Sequence, residues 1–227
     1  MGDLLGKLIP LALGVAVSPI PLLAELIMLT TEKAVKNAML LLVGWVGVMA
    51  AIGLGGLLIL GDVELGGIAG SGGHVDDVAN IVVGLVLLIL AAVRYFQLRK
   101  GTARGQGVSR LLNFCDGMKP VSAIMLGVLT VVLNPKNILV TLSAVGLILT
   151  SEPGFGHSLV ALAVFVALAT SLLAAPVTLY LVAPHRSSSI LSRWKKWLLE
   201  HNQEVIVYLL VVLGLLLAGT GLWGLLG

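Results

Sequence analysis

Ser18-Pro19-Ile20-Pro21-Leu22-Leu23-Ala24-Glu25 places two prolines and a carboxylate inside an otherwise apolar run from Leu4 to Leu29. A run of that length is enough to cross a bilayer as a helix, which takes about 20 predominantly apolar residues. Yet proline removes a backbone donor and clashes with the preceding turn, and a charge at the bilayer centre costs about 3 kcal/mol on insertion scales. A second interruption of the same kind, Asn134-Pro135-Lys136-Asn137, lies inside the apolar run from Val121 to Leu149. The chain therefore reads as a membrane protein with two broken spans. The two breaks are expected to face each other and form the working site.

Composition supports the membrane assignment. Of 227 residues, 58% are hydrophobic and 11% charged, with a mean hydropathy of +1.09; a soluble domain carries about 25% charged residues. Six spans of ~20 residues plus loops would use nearly the whole chain and leave no room for a soluble domain. The pI of 9.2 would suit nucleic acid. The basic residues, however, fall in short loops between apolar runs, as the positive-inside rule describes, so no nucleic-acid partner is expected. Cys115 is the only cysteine, which excludes an internal disulfide and a Cys-x-x-Cys redox pair. With no hydrolase motif, P-loop or dinucleotide fingerprint, the expectation is a protein that is not an enzyme and takes no cofactor. The first apolar stretch runs into Ser-Pro-Ile-Pro instead of a small-x-small cleavage site, and is read as a retained helix.

In order, the expected fold is all-α and polytopic, a single transmembrane domain over 1–227 with six transmembrane helices. Helix one spans about Leu4–Leu29, broken near Ser18–Pro21. Thr31 is a candidate N-cap for helix two, about Ala34–Leu60, whose glycines (Gly44, Gly47, Gly53, Gly55 and Gly56) suit close helix contact in lipid. Gly61–Asp77 reads as a glycine-rich acidic loop. Helix three is expected over about Val78–Leu98, and a basic loop over Gly101–Lys119. Helix four is expected over about Pro120–Leu149, broken at Asn134–Pro135, helix five over about Ser158–Val182, and helix six over about Val205–Leu226. All but Lys7 and Lys136 of the 14 basic residues fall in the loops at about 30–37, 94–119 and 184–204. The positive-inside rule places these three loops in the cytoplasm and both termini outside.

Helices one and four both break at a polar-proline pair. Helices three and six are each expected to follow an asparagine (Asn80, Asn202) and carry a mid-helix glycine (Gly84, Gly214). Three helices per unit would insert the halves in opposite directions: repeat A at about 1–100, a linker at about 101–119 and repeat B at about 120–227. Inverted repeats with discontinuous helices are a recurring plan among secondary transporters, with substrate held at the breaks.

A half-helix that begins at a break exposes unpaired N–H groups and a positive dipole end, suited to an anionic headgroup. Lys136 would add a charge, and Ser18, Asn134 and Asn137 hydrogen bonds. Glu25, ~9 Å beyond Pro19 along the helix, would pair with Lys136 or carry a proton. The expected substrate-binding set is Ser18, Pro19, Pro21, Glu25, Asn134, Pro135, Lys136 and Asn137. The blander reading is of tolerated kinks with Lys136 and Glu25 reaching an interface; the mirrored pattern argues against it. Ile190, Leu191, Trp194, Trp197 and Leu198 follow helical spacing beside Arg193, Lys195 and Lys196. They predict an interfacial amphipathic helix, with Arg193, Trp194, Lys195, Lys196 and Trp197 at the lipid surface. His74, Asp76 and Asp77 fit no standard ligand spacing, and no metal is expected. Trp45, Tyr95, Tyr180 and Trp223 read as packing or interface residues.

Three stretches together resemble the GAP family, the glycopeptidolipid- and sulfolipid-addressing proteins of the lysine exporter superfamily. They are Ser18–Leu29 followed by Asn37 and Gly44-Trp45, the Asn134-Pro-Lys-Asn137 break, and the tryptophan-containing segment before a glycine-rich last helix. Many members carry a Pro-Trp segment before helix four, where this chain has Arg110–Asp116 without tryptophan. The resemblance implies a six-helix exporter, with members linked to moving glycolipids to the cell surface. The expected function is translocation of a lipid or glycolipid with an anionic headgroup, and the expected partners are membrane lipids, the substrate, and further copies or a lipid-export complex. The rivals are a proton-coupled exporter of a small solute, such as an amino acid or ion, and a non-transporting accessory subunit.

Overall fold

The computed structural model describes residues 2–29, 34–62, 74–99, 118–151 and 154–226. Thr31, Glu64, Cys115 and the basic residues of 101–117 lie outside the described residues. The rest forms eight helices: α1 (Gly2–Ala16), α2 (Pro19–Met28), α3 (Ala34–Asp62), α4 (His74–Arg99), α5 (Pro120–Val132), α6 (Pro135–Ser151), α7 (Phe155–Val182) and α8 (Pro184–Leu226). Four of them, α3, α4, α7 and α8, are long and apolar enough to cross a membrane. The count rises to six if each of the pairs α1–α2 and α5–α6 is one bent span. The first pair turns by 55° and the second by 70°, each at the proline that opens its second half, where an N–H is missing anyway.

Two expected boundaries are corrected. Helix three was expected from Val78, after an acidic loop, but α4 starts at His74. Asp77 then sits in its first turn, where negative charge complements the helix dipole; Asn80 lies inside the helix rather than ahead of it. The second correction is larger. The amphipathic segment and the last span are one 43-residue helix, α8, and 184–204 is not a loop. After Pro184 there is no proline, and no glycine before Gly214, so nothing in the backbone stops the helix where hydropathy changes. Its length, ~64 Å at 1.5 Å per residue, is about twice the hydrocarbon thickness.

The helices meet through small residues. α3 runs along α5, where a methyl group on Gly127 would strike the Leu41 carbonyl and stand 2.8 Å from the Trp45 amide nitrogen. α4 runs along α8 over most of its length; a methyl on Gly84 would stand 2.7 Å from the Gly214 carbonyl oxygen. Such close backbone approach is how helices associate where water exclusion supplies no drive. α7 packs on both α1 and α3, and α6 on α1 and α3. Trp45, Phe165, Leu23, Leu26 and Met28 are buried between them. Large apolar side chains such as Ile89, Phe96, Val212 and Trp223 are exposed, as expected of a surface solvated by lipid.

Candidate functional site

The first break can be followed one carbonyl at a time. In a continuous helix Gly14, Val15, Ala16 and Val17 would accept from the N–H groups of residues 18 to 21. Pro19 and Pro21 have none, which strands Val15 and Val17. The chain bends, and the Ser18 amide donates to the Ala16 oxygen at 2.9 Å, which strands Gly14 as well. The Ser18 hydroxyl then donates to the Val15 oxygen at 2.7 Å. The Lys136 Nζ donates to the oxygens of Gly14 at 2.7 Å and Val17 at 3.0 Å. All four carbonyls are satisfied, two of them from the far half of the chain. This is what a helix end at membrane depth requires, since no water is available in the bilayer core to do it.

The second break brings its residues onto the first. The Lys136 Nζ also donates to Ser18 Oγ at 3.3 Å, and Ser18 Oγ lies 3.4 Å from Asn137 Oδ1. The Asn134 carbonyl accepts from the Asn137 amide at 3.0 Å and starts α6. Thr141 donates back to the Asn137 carbonyl at 2.7 Å and touches the Met49 sulfur at 3.7 Å. Ser18, Lys136 and Asn137 are all buried. The two motifs are thus in direct contact, and the charge on Lys136 faces the carbonyl end of α1, which carries about half a negative charge.

Of the two uses expected of Glu25, the pairing with Lys136 is not formed. Glu25 is fully buried, and neither carboxyl oxygen has a hydrogen-bond partner among the described residues. The physical reason is distance along the chain: Lys136 reaches back to the end of α1, while Glu25 lies more than a turn further along α2. The Asn137 Nδ2 and the Trp45 indole nitrogen are also buried without a partner among the described residues. Asn37, part of the first of the three resembling stretches, donates from Nδ2 to the Met118 carbonyl at 3.1 Å and ties the start of α3 to the residues before α5.

Beside the breaks lies a groove of about 350 Å³. Pro19, Ile20, Asn134, Pro135 and Lys136 line one side, the end of α5 from Leu126 to Leu133 a second, and Leu90, Arg94, Ile206, Leu209 and Leu210 of the α4–α8 pair a third. Its rim carries exposed apolar side chains, with Ile20 at 45%, Leu129 at 42% and Leu133 at 74% exposure. Pro21 and Glu25 are buried in α2 and do not line this groove. Arg94, counted from sequence only among the loop charges, belongs to it; no local pattern marks it, because α4 reaches the breaks only through the tertiary fold.

The amphipathic residues divide between two faces of α8. Leu191 and Leu198 are buried, whereas Arg193, Trp194, Lys196 and Trp197 are exposed and Lys195 is half-buried. Trp197 stacks on His201, with ring centroids 5.1 Å apart. One apolar edge of the segment packs on protein, and the tryptophans and charges face outward.

A family model described as "Sap, sulfolipid-1-addressing protein" matches residues 8–223. None of the curated proteins and none of the solved structures compared with the chain matches it.

Proposed function

This chain belongs to the sulfolipid-1-addressing protein family, and from that premise we propose that it is a translocator that moves a lipid or glycolipid across the cytoplasmic membrane of a prokaryote. It acts as a carrier and not as an enzyme. The headgroup binds where the two broken helices meet, and the acyl chains stay in the bilayer. The observation that carries this reading is the groove beside the breaks, lined by leucines and a few polar groups and rimmed by exposed apolar side chains. A carrier of small water-soluble solutes would instead enclose a wet cavity.

The two halves are read as inverted repeats, in line with the lysine exporter plan. α3 packs along α5 much as α7 packs along α1, and α4 and α8 pair with each other. The ends bearing Lys36, Arg94, Arg99, Lys119 and Arg193 are taken as cytoplasmic and both termini as outside. The test is reconstitution of the purified chain alone into liposomes carrying fluorescent glycolipid on one leaflet. Protein-dependent loss of the asymmetry is expected. No movement by the pure protein would favour an accessory subunit of a lipid-export complex.

A second reading has one observation of its own: Glu25 is buried and its carboxyl oxygens have no hydrogen-bond partner among the described residues. A carboxyl group in that position is suited to take up and release a proton, as a proton-coupled exporter requires. Glu25→Gln keeps the shape and removes the proton site. If transport is proton-coupled, the variant should lose its response to an imposed pH gradient; an unchanged response removes Glu25 from the mechanism.

A further inference from the structure

Among the described residues two cations border the groove, Lys136 and Arg94, and of these only Arg94 has donors left to offer. The Lys136 Nζ already gives three hydrogen bonds, to Gly14, Val17 and Ser18, the full complement of an ammonium. Arg94 lines the same groove from α4, is exposed, and makes no hydrogen bond or ion pair with the described residues. Its neighbour Arg99 does not line the groove and lies 5.3 Å over the Tyr95 ring. We infer that Arg94, and not Lys136, receives the anionic group of the ligand, which is an amphiphile bearing a sulfate or phosphate ester. This rests on the reading that the groove holds a headgroup.

A guanidinium offers parallel N–H donors that match two oxygens of such an ester, a geometry an ammonium cannot supply. Thr130 and Asn134, on the same lining, are placed for headgroup hydroxyls. A volume of about 350 Å³ is at the lower end for ligand pockets, enough for a headgroup and its first methylenes. The remaining chain leaves past Ile20 and Leu133 into lipid. Arg94 is five residues from the end of α4, ~8 Å, so the charged group is held near the basic face and its chains toward the bilayer middle.

The test is lipid retention by the purified full-length chain, read by native mass spectrometry with three probes: sulfatide, galactosylceramide (the same lipid without its sulfate) and phosphatidylglycerol. The wild type should hold one or both anionic lipids at least ~10-fold over galactosylceramide, the size of a charge-assisted hydrogen bond. Arg94→Gln should abolish that preference and leave galactosylceramide unchanged, and Arg94→Lys should retain part of it. An Arg94→Gln protein that still prefers the anionic lipids, or a wild type without preference, overturns the assignment. A wild type that moves lipid in liposomes without preferring anions leaves the translocator reading standing while Arg94 falls. A preference without movement does the reverse.

Discussion

Lys136 and Ser18 show how much a single side chain can carry at a broken helix. Replacing Lys136 by methionine keeps the apolar stem and removes the donors to Gly14 and Val17, leaving two carbonyls unpaired at membrane depth. The expected loss is about 2–6 kcal/mol, since each unsatisfied buried group costs about 1–3 kcal/mol. Ser18→Ala strands one carbonyl, that of Val15, and takes one of three acceptors from Lys136; it should lose about 1–3 kcal/mol. Thermal unfolding of the detergent-solubilised variants should rank them in that order; equal midpoints for Lys136→Met and wild type would refute the capping role. Because Lys136 is structural in this way, a transport defect in its variants is not a clean test of substrate binding. The sequence marked Lys136, since a lysine inside an apolar run is costly unless used. It did not reveal the use, because the acceptors lie 119 and 122 residues away and nothing local points to them. Glu25 was equally visible; of the two uses expected of it, the pairing with Lys136 is not formed, for the same reason.

At the scale of the helix, glycines and uninterrupted runs decide the arrangement. A leucine at Gly127 would collide with backbone at Leu41 and Trp45, which cannot yield as a side chain can. Gly127→Leu should therefore force α3 and α5 apart and destabilise the protein by about 3 kcal/mol or more, whereas Gly47→Leu, with open space at its position, should be nearly neutral. Helix breaks were legible because proline and asparagine mark them within the chain. The unity of α8 was not, because hydropathy falls from membrane to interface near residue 204 while the backbone continues. Spin labels at Arg193 and Val212, both exposed, should lie ~28 Å apart along a straight helix at 1.5 Å per residue, before label length. A turn at 204 would shorten that distance.

Across the whole molecule, the apolar runs were enough to predict an all-helical membrane protein, and the span count followed within the range the helices allow. The groove was not predictable in detail. Its walls come from α2, α5, α6, α4 and α8, and only their packing assembles Arg94, Thr130 and Asn134 around one space. The contacts between α1 and α6 join the two halves of the chain through buried polar atoms rather than through apolar surface alone. Fragments 1–100 and 119–227 should accordingly be degraded when expressed singly and co-purify when expressed together, with Lys136→Met lowering the yield of the pair. Recovery of a stable 1–100 fragment alone would contradict this.

The cap that Lys136 places on α1 also sets an order of events during synthesis. A ribosome adds ~5–20 residues per second, so ~6–24 s separate the emergence of Val17 from that of Lys136. Throughout that interval the first span has carbonyls at its bend that its own chain cannot satisfy. It has to wait at the insertion machinery or at the wet membrane surface until the second half arrives. A chain truncated before residue 136 lacks the donors to Gly14 and Val17, and should be degraded faster in cells than one that extends past it.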